Sequence, residues 1–318
     1  MNYPDILKNI QNKYNDNHID IDLESFPQDY RNELSRIYHT QIIQNERESQ
    51  KEFIPERGAE KKAYITRHYV FSGHPGTGKT TAARFLAFFL KEILFFPKYQ
   101  YLEVSRSDLI GGVVGETESK TLDILKKASP GILFINEAHQ LVGSSNKDYG
   151  INSIQTIMKF MEDKRNSTII IFDGIYMKLE ELFSQHPGLR DRFSRIIHFD
   201  HISESNYKKI VEKLLKEYSY NLEKDSENSE NTKLLDDIIL KYKNDYKDLG
   251  IEFANIRTIR KIIEMLIDIQ CKRVYDLKVS NPKEFKPATF NTILLEDIRF
   301  LKRELENEVK MIKRIRED

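Results

Sequence analysis

Gly73-His74-Pro75-Gly76-Thr77-Gly78-Lys79-Thr80 follows the apolar run His68-Tyr69-Val70-Phe71 and leads into TAARFLAFFL, residues 81–90, which repeats at helical spacing. Two glycines five apart, then Lys and Thr, between a strand and a helix, form the G-x-x-x-x-G-K-[ST] pattern of a phosphate-binding loop. The chemistry follows from the residue types. Glycines adopt backbone angles closed to other residues and leave room for phosphate oxygens. Backbone N–H groups at the start of the helix then surround an anion. Lys79 supplies a positive charge at the β- and γ-phosphates, and the Thr80 hydroxyl reaches Mg²⁺. Residues 73–81, including Thr81, are read as the cradle for ATP, with His74 as a tolerated variable position.

A loop of this kind needs an acidic group behind the Mg²⁺ and a base near the attacking water, both usually at the end of an apolar strand. Gly131-Ile132-Leu133-Phe134-Ile135 is that strand, and Asn136-Glu137-Ala138-His139 follows it. Glu137 is placed to activate water. Asn136 stands where the pattern has Asp; it keeps a carbonyl acceptor for the metal but no charge. Two readings fit: a working enzyme with weaker Mg²⁺ binding or slower turnover, and a nucleotide-binding protein that barely hydrolyses. Glu137 and two later arginines favour the first. His139 reads as a structural partner.

Outward from these motifs, short apolar runs (63–71, 99–104, 131–135, 168–172, 196–199) alternate with helical patterns such as 80–96 and 151–161. That alternation predicts βαβ units: an α/β fold with a parallel sheet covered by helices on both faces. Residues 1–62 are polar, with helical spacing at Leu34, Ile37, Tyr38 and Ile42, and read as an N-terminal helical extension, a candidate dock for substrate or adaptor. Residues 63–201 form the ATPase domain. Residues 202–318 read as a helical lid domain, ending in a charged helix taken as solvated or inter-subunit.

The 318 residues carry 50 Lys+Arg and 50 Asp+Glu, so no basic platform for nucleic acid stands out. Cys271 is the only cysteine; an internal disulfide is excluded, and its apolar helical setting predicts a buried thiol. No run approaches transmembrane length and the N-terminus has no apolar signal core, which fits the cytoplasm and leaves an organelle stroma or matrix open.

Further blocks occur in a fixed order: VSRSDLIGGVVGETESKT (104–121), GILFINEAHQL (131–141), DYGINSIQTIMKFMEDKRNSTIIIFDG (148–174), HPGLRDRF (186–193) and FANIRTIRKIIEMLIDIQCKRV (253–274). With the phosphate loop, they make the chain resemble the CbxX/CfqX branch of AAA+ ATPases. That branch includes red-type rubisco activases and relatives in sporulation and secretion. The resemblance implies an α/β ATPase domain followed by a helical lid, assembled as a ring, usually a hexamer, that remodels a protein partner. It also implies roles. Arg190 and Arg192 would reach the γ-phosphate of the adjacent subunit, Arg190 as the finger and Arg192 in support. Arg257, with Arg260 one turn on, would sense the γ-phosphate from the lid. Val113, Val114 and Gly115 would form the pore loop, and Asp173 would close the sensor strand beside the γ-phosphate.

Three positions depart from the relatives. Val113 replaces an aromatic gripping residue and offers less contact area; Gly111 and Gly112 beside it predict a loose loop. Asp173 brings a negative charge toward a phosphate and would orient water or pair with an arginine. Asn136 lacks the metal-facing charge. These leave a second reading beside the remodelling ring: a nucleotide-switched scaffold, or a partner subunit in a mixed ring with a related ATPase. Rubisco is the best-known target in the family, and a different protein substrate is equally compatible with Val113. A nucleic-acid motor is the third reading, opposed by the neutral charge.

Overall fold

A computed structural model of the chain describes residues 2–16, 21–49, 67–94, 99–113, 115–143, 149–164, 167–223, 230–280 and 290–317. Two compact units result: Met1–His74 with Gly78–Asp200, and Pro75–Thr77 with His201–Asp318. The boundary expected near residue 62 lies outside the described residues.

The first unit runs α1 (Tyr3–Asn15), α2 (Gln28–Ser49), β1 (His68–Gly73), α3 (Lys79–Leu94), β2 (Gln100–Val104), α4 (Arg106–Leu109), α5 (Glu116–Lys127), β3 (Gly131–Ile135), α6 (Gly150–Asp163), β4 (Thr168–Gly174), α7 (Tyr176–Gln185), α8 (Pro187–Arg190) and β5 (Phe193–Phe199). The strands pair in parallel in the order β2-β3-β4-β1-β5. β1, β3 and β4 are buried along their whole length, which is why they read as continuous apolar runs rather than alternating ones. Their side chains divide by parity. Tyr69, Phe71, Ile132, Phe134, Ile169 and Ile171 share one core with α1–α3. Val70, Leu133, Ile135, Ile170 and Phe172 share the other with α5–α7. The chain therefore leaves β1 on one face and β4 on the other. The gap between these neighbouring strands is the switch point where α/β sheets bind ligands.

Residues 2–49 form no separate body. Tyr14, Phe26, Tyr30 and Leu34 enter the core beside Phe71, Phe85 and Phe199, and the Tyr30 hydroxyl donates to Ala82 O at 2.7 Å. Each large apolar side chain so buried contributes roughly 1.5–3 kcal/mol. Glu33 on α2, 3% exposed, accepts from Arg36 at 2.6 Å, Tyr69 Oη at 3.0 Å and Arg67 at 3.3 Å, with Arg195 Nε 3.0 Å away. This ties α2 to β1 and β5. A dock that comes away without loss to the ATPase domain does not fit such packing.

The second unit comprises α9 (Tyr207–Glu217), β6 (Asn221–Leu222), α10 (Glu230–Asp248), α11 (Ile256–Ser280), β7 (Thr292–Ile293) and α12 (Leu295–Glu317), with β6 and β7 paired in parallel. Two expectations change here. Cys271 is exposed, because the buried stripe of α11 runs through Ile259, Ile263, Leu266, Gln270 and Val274 and position 271 falls beside it. The charged last helix is not simply solvated: Ile298, Leu301, Leu305 and Val309 are buried, a stripe at i, i+3, i+7, i+11 that the surrounding charges mask. Its first turn is fixed by Asp297, which accepts from Arg273 at 2.7 and 3.0 Å and from the Leu294 N–H at 2.8 Å.

Candidate nucleotide-binding site

β1 delivers the chain into the phosphate loop at the switch point. Gly73 has φ +147°, and a Cβ there would sit 2.3 Å from Phe199 O, so only glycine lets the loop leave β1 this close to β5. Gly78 follows the loop tip with φ +94° and turns the chain into α3. Lys79 opens that helix, buried, and its Nζ donates to Gly73 O at 2.6 Å and His74 O at 2.7 Å. Thr80 and Thr81 follow in the first turn, both half-buried, as is His74. The tip, Pro75–Thr77, groups with the second unit; Thr77 is buried and Gly76 has φ +73°.

The ends of β3 and β4 complete the cluster in the first unit. Asn136 continues the β2–β3 ladder, its N–H donating to Val104 O at 2.8 Å, and is exposed. Glu137 adopts the left-handed conformation, φ 48° and ψ 50°, an unusual state for a residue with a Cβ and one found where a side chain must be aimed. Its Oε2 lies 3.4 Å from His139 Nδ1. Burial, the largest effect, holds the His139 imidazole below its usual range, so the neutral form prevails. A Cβ on Gly174 would sit 3.0 Å from the same nitrogen, so His139 packs on the end of β4, the structural place expected of it.

Asp173 is the penultimate residue of β4 and is 3% exposed. Its Oδ1 lies 3.5 Å from Lys79 Nζ. The cation beside it is thus a lysine rather than an arginine. Burial pushes the carboxyl up to about 6; Lys79 opposes this, the Glu137 carboxylate reinforces it, and a hydrogen bond from the Glu137 backbone N–H works against it. Oδ1 is buried without a hydrogen-bond partner.

The two arginines after α7 differ. The guanidinium of Arg190, 42% exposed, pairs with Glu180 and lies 5.7 Å from the Phe183 ring centroid. Arg192 is held by backbone: Nε donates to Met158 O at 3.1 Å and Nη1 to Gly188 O at 2.7 Å. In the second unit, Arg257 is exposed on the first turn of α11. Arg260 is engaged with Glu217 at 3.1 Å and the Tyr218 hydroxyl at 3.2 Å.

Val113 is 63% exposed at the tip of its loop; Val114 lies outside the described residues. Gly111, Gly112 and Val113 are tied rather than loose. Glu116 Oε2 accepts from the Gly112 and Val113 N–H groups at 2.8 and 3.3 Å, and Thr117 Oγ1 from the Gly111 N–H at 3.0 Å. The readable signal was an acid and a hydroxyl opening α5 directly after Gly115, residue types that capture free amides near a helix N-terminus.

A family model described as "ATPase family associated with various cellular activities (AAA)" matches residues 69–201. Over 225 residues the chain is 34% identical to "Stage V sporulation protein K" of Bacillus subtilis, spanning 70% of this chain and 68% of that protein. Over 232 residues it is 31% identical to "Ribulose bisphosphate carboxylase/oxygenase activase, chloroplastic" of Cyanidioschyzon merolae, spanning 73% and 75%. The chain belongs to the CbxX/CfqX group of AAA ATPases. The solved FIGL-1 AAA domain in complex with ADP superposes with a TM-score of 0.57 at 15% identity, covering 89% of this chain and 83% of that one. That likeness speaks to the fold. As an AAA ATPase the chain binds nucleotide and hydrolyses ATP, and the fold class expected from the sequence is the one observed.

Proposed function

We propose that this AAA ATPase hydrolyses Mg²⁺-ATP at sites shared between neighbouring copies and uses the cycle to remodel a protein partner. The observation that carries the reading is the contrast between Lys79 and Arg190. Lys79, Glu137 and Asp173 converge at the switch point of one chain. Arg190 pairs with Glu180 and Phe183 on α7 and stands partly exposed. A role for Arg190 at a γ-phosphate therefore calls for the phosphate of another copy, which is how a ring distributes its sites. The residues fit the ligand: the loop amides and Lys79 would hold the phosphates, and Thr80 would face Mg²⁺. Mg²⁺ would supply neutralisation of charge on the transferring phosphoryl group. Glu137, aimed by its strained backbone and flanked by neutral His139, takes the proton from the attacking water. Arg190 from the neighbour stabilises the charge that builds up, with Arg257 as the sensor on the lid; Arg260 stays with Glu217 and supports the helix.

The protein partner is met at the pore-loop residues Val113, Val114 and Gly115, led by the exposed aliphatic Val113, whose N–H is held by Glu116. Rubisco, on which the named chloroplastic relative acts, is one candidate; the aliphatic tip equally suits another protein. The ring is most simply a hexamer of identical chains. The chloroplastic relative makes an organelle stroma one candidate setting for the work, beside the cytoplasm. Among the described residues no helix is long and apolar enough to cross a membrane. Asn136, exposed and uncharged, supports a second reading, in which the chain is a slow, nucleotide-switched subunit of a mixed ring.

ATP hydrolysis measured against protein concentration, beside Glu137→Gln and Arg190→Ala, separates the two. A specific rate that climbs with concentration and disappears in both variants supports the motor. Tight nucleotide binding with a rate no higher than that of Glu137→Gln supports the switch.

A further inference from the structure

The carboxylate that β3 lacks stands at the end of the adjacent strand. Ile135 and Phe172 are direct partners in the parallel β3–β4 ladder. The next residues are Asn136 and Asp173, one step further along strands about 4.8 Å apart. Alternation puts them on the same face. Ile132 and Phe134 on β3, and Ile169 and Ile171 on β4, belong to the core shared with α3, and 136 and 173 continue that parity. Lys79 opens α3 on this face. On its other side Asp173 is in register with Phe71, two residues before the loop begins. Asp173 thus sits between the metal-side strand and the phosphate loop.

Its surroundings suit a cation. Lys79 already has two carbonyl acceptors, Gly73 O and His74 O, and does not need a carboxylate to be satisfied. The carboxylate, 3% exposed, has the lysine at 3.5 Å on Oδ1 and no hydrogen bond to that oxygen. A buried charge is costly unless paired and hydrogen-bonded; one lysine shared with two carbonyls, together with the Glu137 backbone N–H, compensates it incompletely, since Oδ1 keeps no hydrogen bond. Mg²⁺ prefers oxygen partners and retains several of its waters, so a carboxylate acting through a bound water tolerates displacement by one strand.

We propose that Asp173 is the carboxylate this chain turns toward the Mg²⁺ of bound nucleotide, supplying from β4 the charge that Asn136 does not supply from β3. The inference rests on the nucleotide site described above. Asn136 then acts as a neutral neighbour, and the exchange of Asn for Asp in the strand signature is a relocation rather than a loss.

The test is a double-mutant cycle read by Mn²⁺ affinity, using electron paramagnetic resonance on protein saturated with a non-hydrolysable ATP analogue. The full-length chain is compared with Asp173→Asn, Asn136→Asp and the double exchange. Metal-free affinity for the analogue is measured in EDTA, and thermal melting checks the fold. Asp173→Asn should weaken Mn²⁺ binding on the order of tenfold or more while leaving metal-free affinity equal or tighter. Asn136→Asp should restore Mn²⁺ affinity in the Asp173→Asn background and change it much less on its own. Unchanged Mn²⁺ affinity in Asp173→Asn, or equal effects of Asn136→Asp in both backgrounds, overturns the inference. If Asp173→Asn does not fold, Asn136→Asp and the double exchange still decide: a single variant that binds Mn²⁺ tenfold tighter than the unaltered chain contradicts the relocation. Failure of the unaltered chain to bind the analogue with or without metal would instead overturn the nucleotide site itself.

Discussion

Glu33 and Asp173 are both buried carboxylates of the first unit, each 3% exposed, and their surroundings are opposite. Glu33 sits among Arg36, Arg67, Arg195 and the Tyr69 hydroxyl. Every direction from which its charge can be compensated is filled by this chain. Asp173 has one lysine and the Glu137 backbone N–H, with the Glu137 carboxylate as a like-charged neighbour, and keeps an oxygen without a hydrogen bond. A satisfied buried charge fastens elements together; an unsatisfied one at a switch point is arranged for something that arrives. The burial is the same, so the distinction lies in the completeness of the partners.

Substitutions tell the two carboxylates apart. Glu33→Ala removes the shared partner of three guanidinium groups that water still reaches and should cost about 1–3 kcal/mol in urea unfolding. A loss under 1 kcal/mol would mean the cluster does not fasten α2 to the sheet. Lys79→Ala removes the cation beside Asp173 and the phosphate ligand together; nucleotide affinity by fluorescence titration should fall on the order of a hundredfold or more.

Asp173→Asn should have the reverse sign from Glu33→Ala. The carboxyl is pushed up to about 6, above its ordinary value, so ionising it costs the nucleotide-free fold stability. That cost is absent below the ordinary carboxylate range and complete above pH 6. With Lys79 and Glu137 facing the group, the variant should gain about 1–3 kcal/mol over the unaltered chain at pH 8, and the gain should vanish near pH 4. A loss at pH 8 would place Asp173 with Glu33, as a structural group.

The smallest effect belongs to an exposed carboxylate. Asp108 accepts from the Ser105 N–H and hydroxyl, both at 2.8 Å, and these bonds hold its carboxyl below the ordinary value. Asp108→Asn should cost about 1 kcal/mol or less in thermal melts. Its contribution is present above the ordinary carboxylate range and lost as pH falls through the lowered value.

The sequence made the phosphate loop legible because its requirements fall on the backbone: glycines at fixed offsets, a lysine and a hydroxyl at the start of a helix. The three central strands were legible because burial on both faces leaves apolar runs such as Ile169–Phe172, and the edge strands β2 and β5 by shorter apolar runs. Asp173 was visible as a departure. Its meaning was not, because that depends on the β3–β4 register and on parity, which join residues 37 positions apart. Glu33 carried no signal, since its partners come from α2, β5 and the segment before β1. The exposure of Cys271 and the buried stripe of α12 were hidden for a common reason: on an amphipathic helix one position decides which face a residue joins, and dense charge masks a stripe as narrow as Ile298, Leu301, Leu305 and Val309.

In the ring proposed above, each ATP site takes its water-activating Glu137 from one copy and its Arg190 from the next. The most direct measurement is ATP hydrolysis by an equal mixture of two inactive chains, Glu137→Gln and Arg190→Ala, after subunit exchange. Randomly mixed rings should regain about a quarter of the normal interfaces, and hydrolysis should reappear in proportion. A mixture as inactive as its components, with mixed rings shown to form, would contradict the shared site.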